Sequence, residues 1–173
     1  MTRSPAPLLY RLRSITPDDR AVLTRFYEGL SPDSRAARFH CAAPSIPQTT
    51  ATFFCGPDHQ HREGIVAEAF DAVGGAVIIG HVCIEPTSGD TAEMAIAVAD
   101  AWQHHGVGRA LLTHAIMWAQ IHGIDRLIAS MRCGNSAMFD LLRATGYPIT
   151  YGPSLGSTVD AYLDLRGSRP AAA

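Results

Sequence analysis

The chain has 173 residues, 47% of them apolar by type, and a formal net charge of −2, a composition that suits one globular domain with its own core. That near-neutral balance excludes the basic surplus of a nucleic-acid-binding surface. Lysine is absent, which excludes a Walker-type phosphate loop, a Schiff-base lysine and a lysine general base.

The opening residues M-T-R-S-P-A-P-L-L hold no apolar run of export-signal or membrane-span length. The cysteines Cys41, Cys55, Cys83 and Cys133 show neither C-x-x-C spacing nor a paired framework. The expectation is a cytoplasmic protein with reduced thiols and no membrane partner. Tyr10 to Ser14 alternates as a strand, with Tyr10 and Leu12 on one face and Arg11 and Arg13 on the other. Thr16-Pro17-Asp18-Asp19 is a helix start, with a hydroxyl cap, proline in the first turn and acids behind it. Val22, Leu23, Phe26, Tyr27 and Leu30 give that helix its buried stripe. Ser31-Pro32-Asp33-Ser34 starts a second helix that runs to about Phe39. Cys41 to Arg62 reads as loop around a weak helix near Thr49 to Phe54.

Ile65 to Phe70 and Ala76 to Ile84 are apolar strands joined through Val73-Gly74-Gly75. Thr91 to Val98 alternates again, with Ala92, Met94, Ile96 and Val98 against Glu93, Ala95 and Ala97. After Gly106 the period changes to that of a helix, with Val107, Leu111, Trp118 and Ile121 as its apolar face. Arg126 to Met131 is a further strand. Asn135 or Gly134 caps a helix bearing Met138, Leu141 and Leu142, and Thr158 to Leu165 is the last clean alternation. The expected domain is residues 1–166, with 167–173 as a flexible tail.

The segment from Thr91 to Leu112 carries the first chemical signal. A strand with one carboxylate, Glu93, feeds a turn whose glycines, Gly106 and Gly108, stand where a helix begins. Backbone N–H groups there lack intrahelical partners and sit at the positive end of the helix dipole, so they suit a diphosphate.

Gln103-His104-His105-Gly106-Val107-Gly108 fits the pattern [RQ]-x-x-G-x-[GA] and resembles the signature of the GNAT superfamily of N-acetyltransferases. The preceding A-E-M-A-I-A-V resembles that family's central strand. Asn135-Ser136-Ala137-Met138, with Gly146-Tyr147 beyond it, resembles its second motif. The segment F-Y-E-G-L-S-P-D-S-R-A-A-R-F is similar to a lead-in of bacterial members that include relatives of protein lysine acetyltransferases.

The resemblance implies an α/β fold: a mixed, mostly antiparallel sheet of six to seven strands, helices on both faces, and a splayed parallel pair at the centre. It implies acetyl-CoA as co-substrate and no metal. Gln103, His104, His105, Gly106, Val107, Gly108 and Arg109 would cradle the diphosphate. The main chain at Ile96 and Val98 would pair with the pantetheine arm, and Asn135 would reach the same arm or cap its helix. Glu93 would be the general base and the Val98 N–H the oxyanion donor. The implied acceptor is a primary amine, on a protein lysine or a small molecule.

One position departs from the family pattern. The tyrosine that protonates the leaving thiolate in many relatives is replaced by Leu142, which leaves Tyr147 or Tyr151 as the alternatives. It also keeps a second function open, a non-catalytic acyl-CoA-binding module. Three other patterns fail on their context. Gly152-Pro-Ser154-Leu-Gly156 matches a nucleophile elbow but leads into a strand. His59, His61 and the pair His104-His105 lack acid or cysteine partners at ligand spacing. Gly106-Val-Gly108 has leucine at the third glycine position of a dinucleotide fingerprint.

Overall fold

Alternating strands that bury one set of side chains must find partners, and here four of them do so in sequence order. The computed structural model describes residues 9–41, 43–70 and 73–167. β1 (Tyr10–Ser14), β2 (Glu63–Phe70), β3 (Ala76–Pro86) and β4 (Thr91–Val98) form one antiparallel block. β5 (Arg126–Arg132), β7 (Thr158–Asp164) and β6 (Ile149–Tyr151) form a second. The sheet order is β1-β2-β3-β4-β5-β7-β6. The blocks meet through parallel pairing of Thr91, Ala92 and Glu93 with Arg126, Leu127 and Ile128. Beyond those three residues β4 runs on to Val98 and β5 to Arg132 without further pairing, the splay that the family resemblance implies.

The helices are α1 (Arg20–Glu28), α2 (Pro32–Phe39), α3 (Gln48–Phe54), α4 (Val107–Ile121) and α5 (Ser136–Arg143). Element order and fold class match the expectation. The Thr16–Asp19 start opens as a single 3-10 turn before α1, and Ile149–Tyr151 adds the short edge strand. The tail expected over 167–173 lies outside the described residues beyond Gly167, as do the first eight residues.

Two cores sandwich the sheet. One lies under α4 and α5 and holds Ile79, Val82, Ile84, Met94, Leu111 and Leu127. The other lies under α1 to α3 and holds Leu23, Phe26, Tyr27, Phe54, Val66 and Cys83. α4 comes close to β3 because Gly80 has no side chain. A Cβ there would meet Leu111 Cδ1 at 2.8 Å and Val107 Cγ1 at 3.1 Å. One expected core residue is not in the core. Ile121 is 77% exposed, since the chain leaves the helix at His122, turns at Gly123 and buries Ile124 instead.

Some polar groups inside the second core are paired, although the Nε2 of His81 and the Nε of Arg38 are buried without a partner. Glu68 is 3% exposed and accepts from Arg11 Nε at 2.6 Å and from Arg13 Nη2 at 2.7 Å, while Arg13 also clamps Asp19. Burial opposes the charge on Glu68, but the two guanidinium groups hold its carboxyl below the usual range. His81 is fully buried, its Nδ1 2.8 Å from the Tyr27 hydroxyl. Burial, aided by the charge of Arg38, depresses its pKa from 6.5 to about 3.

His81 is therefore neutral in the fold and takes a proton on unfolding. Its contribution is intact above about pH 6.5 and is lost as pH falls toward about 3. Denaturant titration of the wild type at pH 7 and pH 5 should differ by about 2 kcal/mol more than the same pair for His81→Asn. Equal losses in the two proteins would contradict this assignment.

Candidate functional site

Where β4 and β5 part, β4 exposes an unpaired edge. Ala99 N–H donates to Ile79 O at 2.9 Å, so alternation along the ladder turns the odd residues of β4 toward β3. The N–H and C=O groups of Ile96 and Val98 consequently face the gap left by β5. A groove of about 490 Å³ opens there. Its floor is the β4 edge at Ile96, Ala97 and Val98, and its walls are α2 through Ser34 and Arg38 and α5 through Asn135, Met138 and Leu141. At one end lies the turn that contains Gln103, His104, Gly106, Gly108 and Arg109.

That turn is shaped for an anion. His104 and Gly106 adopt left-handed backbone conformations, with φ of 61° and 85°. Gly106 sits at the N-cap of α4 and offers no side-chain cap, and the first turn of α4 carries no acid. The N–H groups of Val107, Gly108 and Arg109 are thus left to whatever occupies the groove. A Cβ on Gly108 would make only ordinary contacts of 3.6 Å with Leu141 and Val98. Packing within the protein does not require a glycine there, so the missing side chain serves the open side of the groove.

The turn is braced from a distance. Asp100 accepts from Ser31 N–H at 2.9 Å, Ser31 Oγ at 2.7 Å and Ser34 Oγ at 2.7 Å, which caps α2 from the far end of β4. Burial works against its charge, yet these donors hold the Asp100 carboxyl below its ordinary range. Gln103 Nε2 donates to Ser34 Oγ at 3.1 Å and to Val98 O at 3.2 Å. The Gln103 side chain is therefore occupied in holding turn, strand and helix together, and its main-chain N–H donates to Asp100 O at 3.3 Å. His105 is exposed, with Nδ1 2.7 Å from Gln103 O. Asn135 caps α5 by accepting from Met138 N–H at 3.1 Å, which uses Oδ1 alone and leaves its amide donors free to serve the groove it lines.

Glu93 is exposed on the face of β4 that also bears Ala95 and Ala97, directly across the ladder from Glu85. Burial pushes the Glu85 carboxyl up, against the pull of Arg62, and Glu93 adds to the rise. Arg62 lies 2.9 Å from Glu85 and stacks 3.7 Å from the centre of the Phe53 ring. Neither alternative acid lines the groove: Tyr147 packs against the α4 core and its hydroxyl accepts from Gln120. Tyr151 is 43% exposed beside Phe139. Leu142 is buried at 1% exposure. Among the described residues no group of three or more His, Cys, Asp or Glu could hold a metal ion, and no helix is long and apolar enough to cross a membrane.

A family model described as the acetyltransferase (GNAT) family matches residues 23–147, from α1 through the glycine-aromatic pair after α5. The chain belongs to that family. Its fold is that of the GNAT domain of S. lividans PAT, with TM-score 0.79, 30% identity and 90% of each chain covered. Two further GNAT-fold structures resemble it in fold at lower identity. One is Salmonella typhimurium yncA with its cofactor acetyl-CoA (TM-score 0.70, 20% identity, 95% of this chain and 99% of that one). The other is a phosphinothricin acetyltransferase from Sinorhizobium meliloti in complex with acetyl-CoA (TM-score 0.70, 19% identity, 95% and 92%). No curated protein matches the sequence. Family membership makes the chain an acyltransferase, and of the residues that sequence reading passed over, Arg38 lines the groove, Asp100 braces its turn through Ser31, and Glu85 lies across the ladder from Glu93. Only Ser31-Pro32, the start of α2, pointed toward that wall.

For Gly108→Ala, thermal or denaturant unfolding should show equal or slightly higher stability, by up to about 1 kcal/mol, because alanine is the better helix residue. Affinity for acetyl-CoA, measured by calorimetry, should fall at least about tenfold if diphosphate meets the main chain here. Unchanged affinity would remove the turn from the site.

Proposed function

We propose that this GNAT protein moves the acetyl group of acetyl-CoA to a primary amine, on a protein lysine or a small molecule, by direct attack within a ternary complex. The observation that carries the reading is the free inner edge of β4 leading into an uncapped, acid-free helix start. In this reading the pantetheine arm completes the ladder along Ile96 and Val98. Its diphosphate lies on the amides from His104 to Arg109, with Gln103 as brace, and Asn135 adds a donor from the opposite wall.

A lysine-like amine has a pKa of about 10.4 and is a nucleophile only once it has lost its proton. Glu93 takes that proton, directly or through water, as the nitrogen lone pair attacks the thioester carbon. Negative charge then collects on the carbonyl oxygen, which the Val98 N–H receives. Collapse re-forms the carbonyl, breaks the C–S bond and releases the CoA thiolate. With Leu142 in place of a tyrosine, the thiolate departs unassisted, as a thiol with a pKa of about 8.5 can. The same leucine supports a second reading, an acyl-CoA-binding module without turnover.

Glu93→Gln separates the two. Release of free CoA in the presence of an amine acceptor should fall about 10²- to 10⁴-fold, while acetyl-CoA at a hundredfold over its dissociation constant still raises unfolding stability by about 2.7 kcal/mol. A wild type that binds acetyl-CoA and never releases CoA with any amine is the module instead.

A further inference from the structure

The reading above leaves a half-buried guanidinium with no carboxylate at ion-pair distance among the described residues. Arg38, on α2, directs its guanidinium onto the sheet. Nη2 donates to Cys83 Sγ at 3.1 Å, and Cζ lies 4.8 Å and 5.3 Å from the ring centres of Phe39 and Phe54. Its Nε is buried with no hydrogen-bond partner, and among the described residues no carboxylate forms an ion pair with it. The groups it touches are neutral, since burial pushes both the Cys83 thiol and the Tyr27 hydroxyl up, while the Glu93 carboxylate acts on its charge from beyond ion-pair distance. An arginine stays charged at any working pH, and a charge withdrawn from water is costly when no counter-ion meets it. Two aromatic rings offset part of that cost and supply no anion.

Its position gives the missing charge a place. Arg38 lines the acetyl-CoA groove. Cys83, which it touches, is the cross-strand partner of Ala95, and Glu93 stands two residues before Ala95 on the same face of β4. A cation and a carboxylate are thus set one pleat repeat apart, about 7 Å along the strand. β4 carries nothing larger than alanine at the level of the cation, and the two groups make no ion pair with each other. The slot lies on the face of the sheet that carries Glu93, beside the β4 edge that would hold the thioester.

We propose that this slot binds a zwitterionic acceptor, an amine with a carboxylate on the same or the next carbon. The amine rests on Glu93 and the carboxylate on Arg38. This rests on the acetyl-transfer reading and narrows it from any primary amine to amino-acid-like ones. A carboxylate could also arrive on the acyl chain of a dicarboxylic acyl-CoA. The face that Arg38 shares with Glu93 favours the acceptor.

The test uses the full-length wild type, acetyl-CoA and matched acceptors: free amino acids, their amides, their decarboxylated amines, and a lysine peptide with blocked ends. Free amino acids should exceed the matched amides and amines in kcat/KM by between about 10-fold and 100-fold, the worth of a hydrogen-bonded charge contact. In Arg38→Gln the ratio of kcat/KM for free amino acids over the matched decarboxylated amines should fall to about one, and a ratio taken within one variant is not moved by general damage to the fold. If Arg38→Gln fails to fold, the wild-type comparison alone decides. Equal rates on amides and acids, or a preference for the blocked lysine peptide, overturn the proposal and leave acetyl transfer standing. A preference for succinyl-CoA over acetyl-CoA with a plain amine, lost in Arg38→Gln, assigns the arginine to the acyl chain and also overturns it. Absence of CoA release with every acceptor, with acetyl-CoA still bound, overturns the catalytic reading and this one with it.

Discussion

Three residues of parallel pairing, Thr91 to Glu93 against Arg126 to Ile128, join two antiparallel blocks and then stop. The site depends on where that pairing ends. Had the strands stayed together, Ile96 and Val98 would give their main-chain groups to β5 and no groove would exist. Had they never met, Glu93 would not be held at the fork. The core beneath accommodates the fork by burying Met94 and Leu127 under α4 while leaving the edge above them open.

The fork alone would leave a flexible turn at its wide end. Asp100, Ser31, Ser34 and Gln103 fix it. One carboxylate collects donors from the first turn of α2, and one amide bridges that helix to the carbonyl of Val98. Each of these bonds is modest, but together they set the direction in which α4 presents its first amides. In the proposed reading this preorganisation favours diphosphate binding, since the amides need no rearrangement when the ligand arrives.

Much of this was legible in the sequence. The β4 alternation, the glycines at the start of α4 and the Asn135 cap are short-range patterns whose meaning is carried by neighbours a few residues away. The Ile121 face was misread because periodicity says which side of a helix is apolar and not where the core beneath it ends. Arg38, Glu85 and Asp100 were not legible for a different reason. Asp100 meets Ser31 across 69 positions and Arg38 meets Cys83 across 45, and neither pairing leaves any trace in local spacing. Glu85 acquires meaning only from the ladder register that sets it opposite Glu93. An arginine in an amphipathic helix reads as solvated until the strand beneath it is placed.

The bracing through Asp100 also bears on how such a protein can change over time. In the proposed reading α2 forms a wall beside the acceptor and the turn after β4 a cradle for the nucleotide, yet both hang on the same carboxylate and the same serine. Residues that share a partner do not vary independently. A lineage that changes Ser31 or Ser34 to reshape the α2 wall shifts the turn as well, so this wall is more freely varied through residues outside the network than through the two serines.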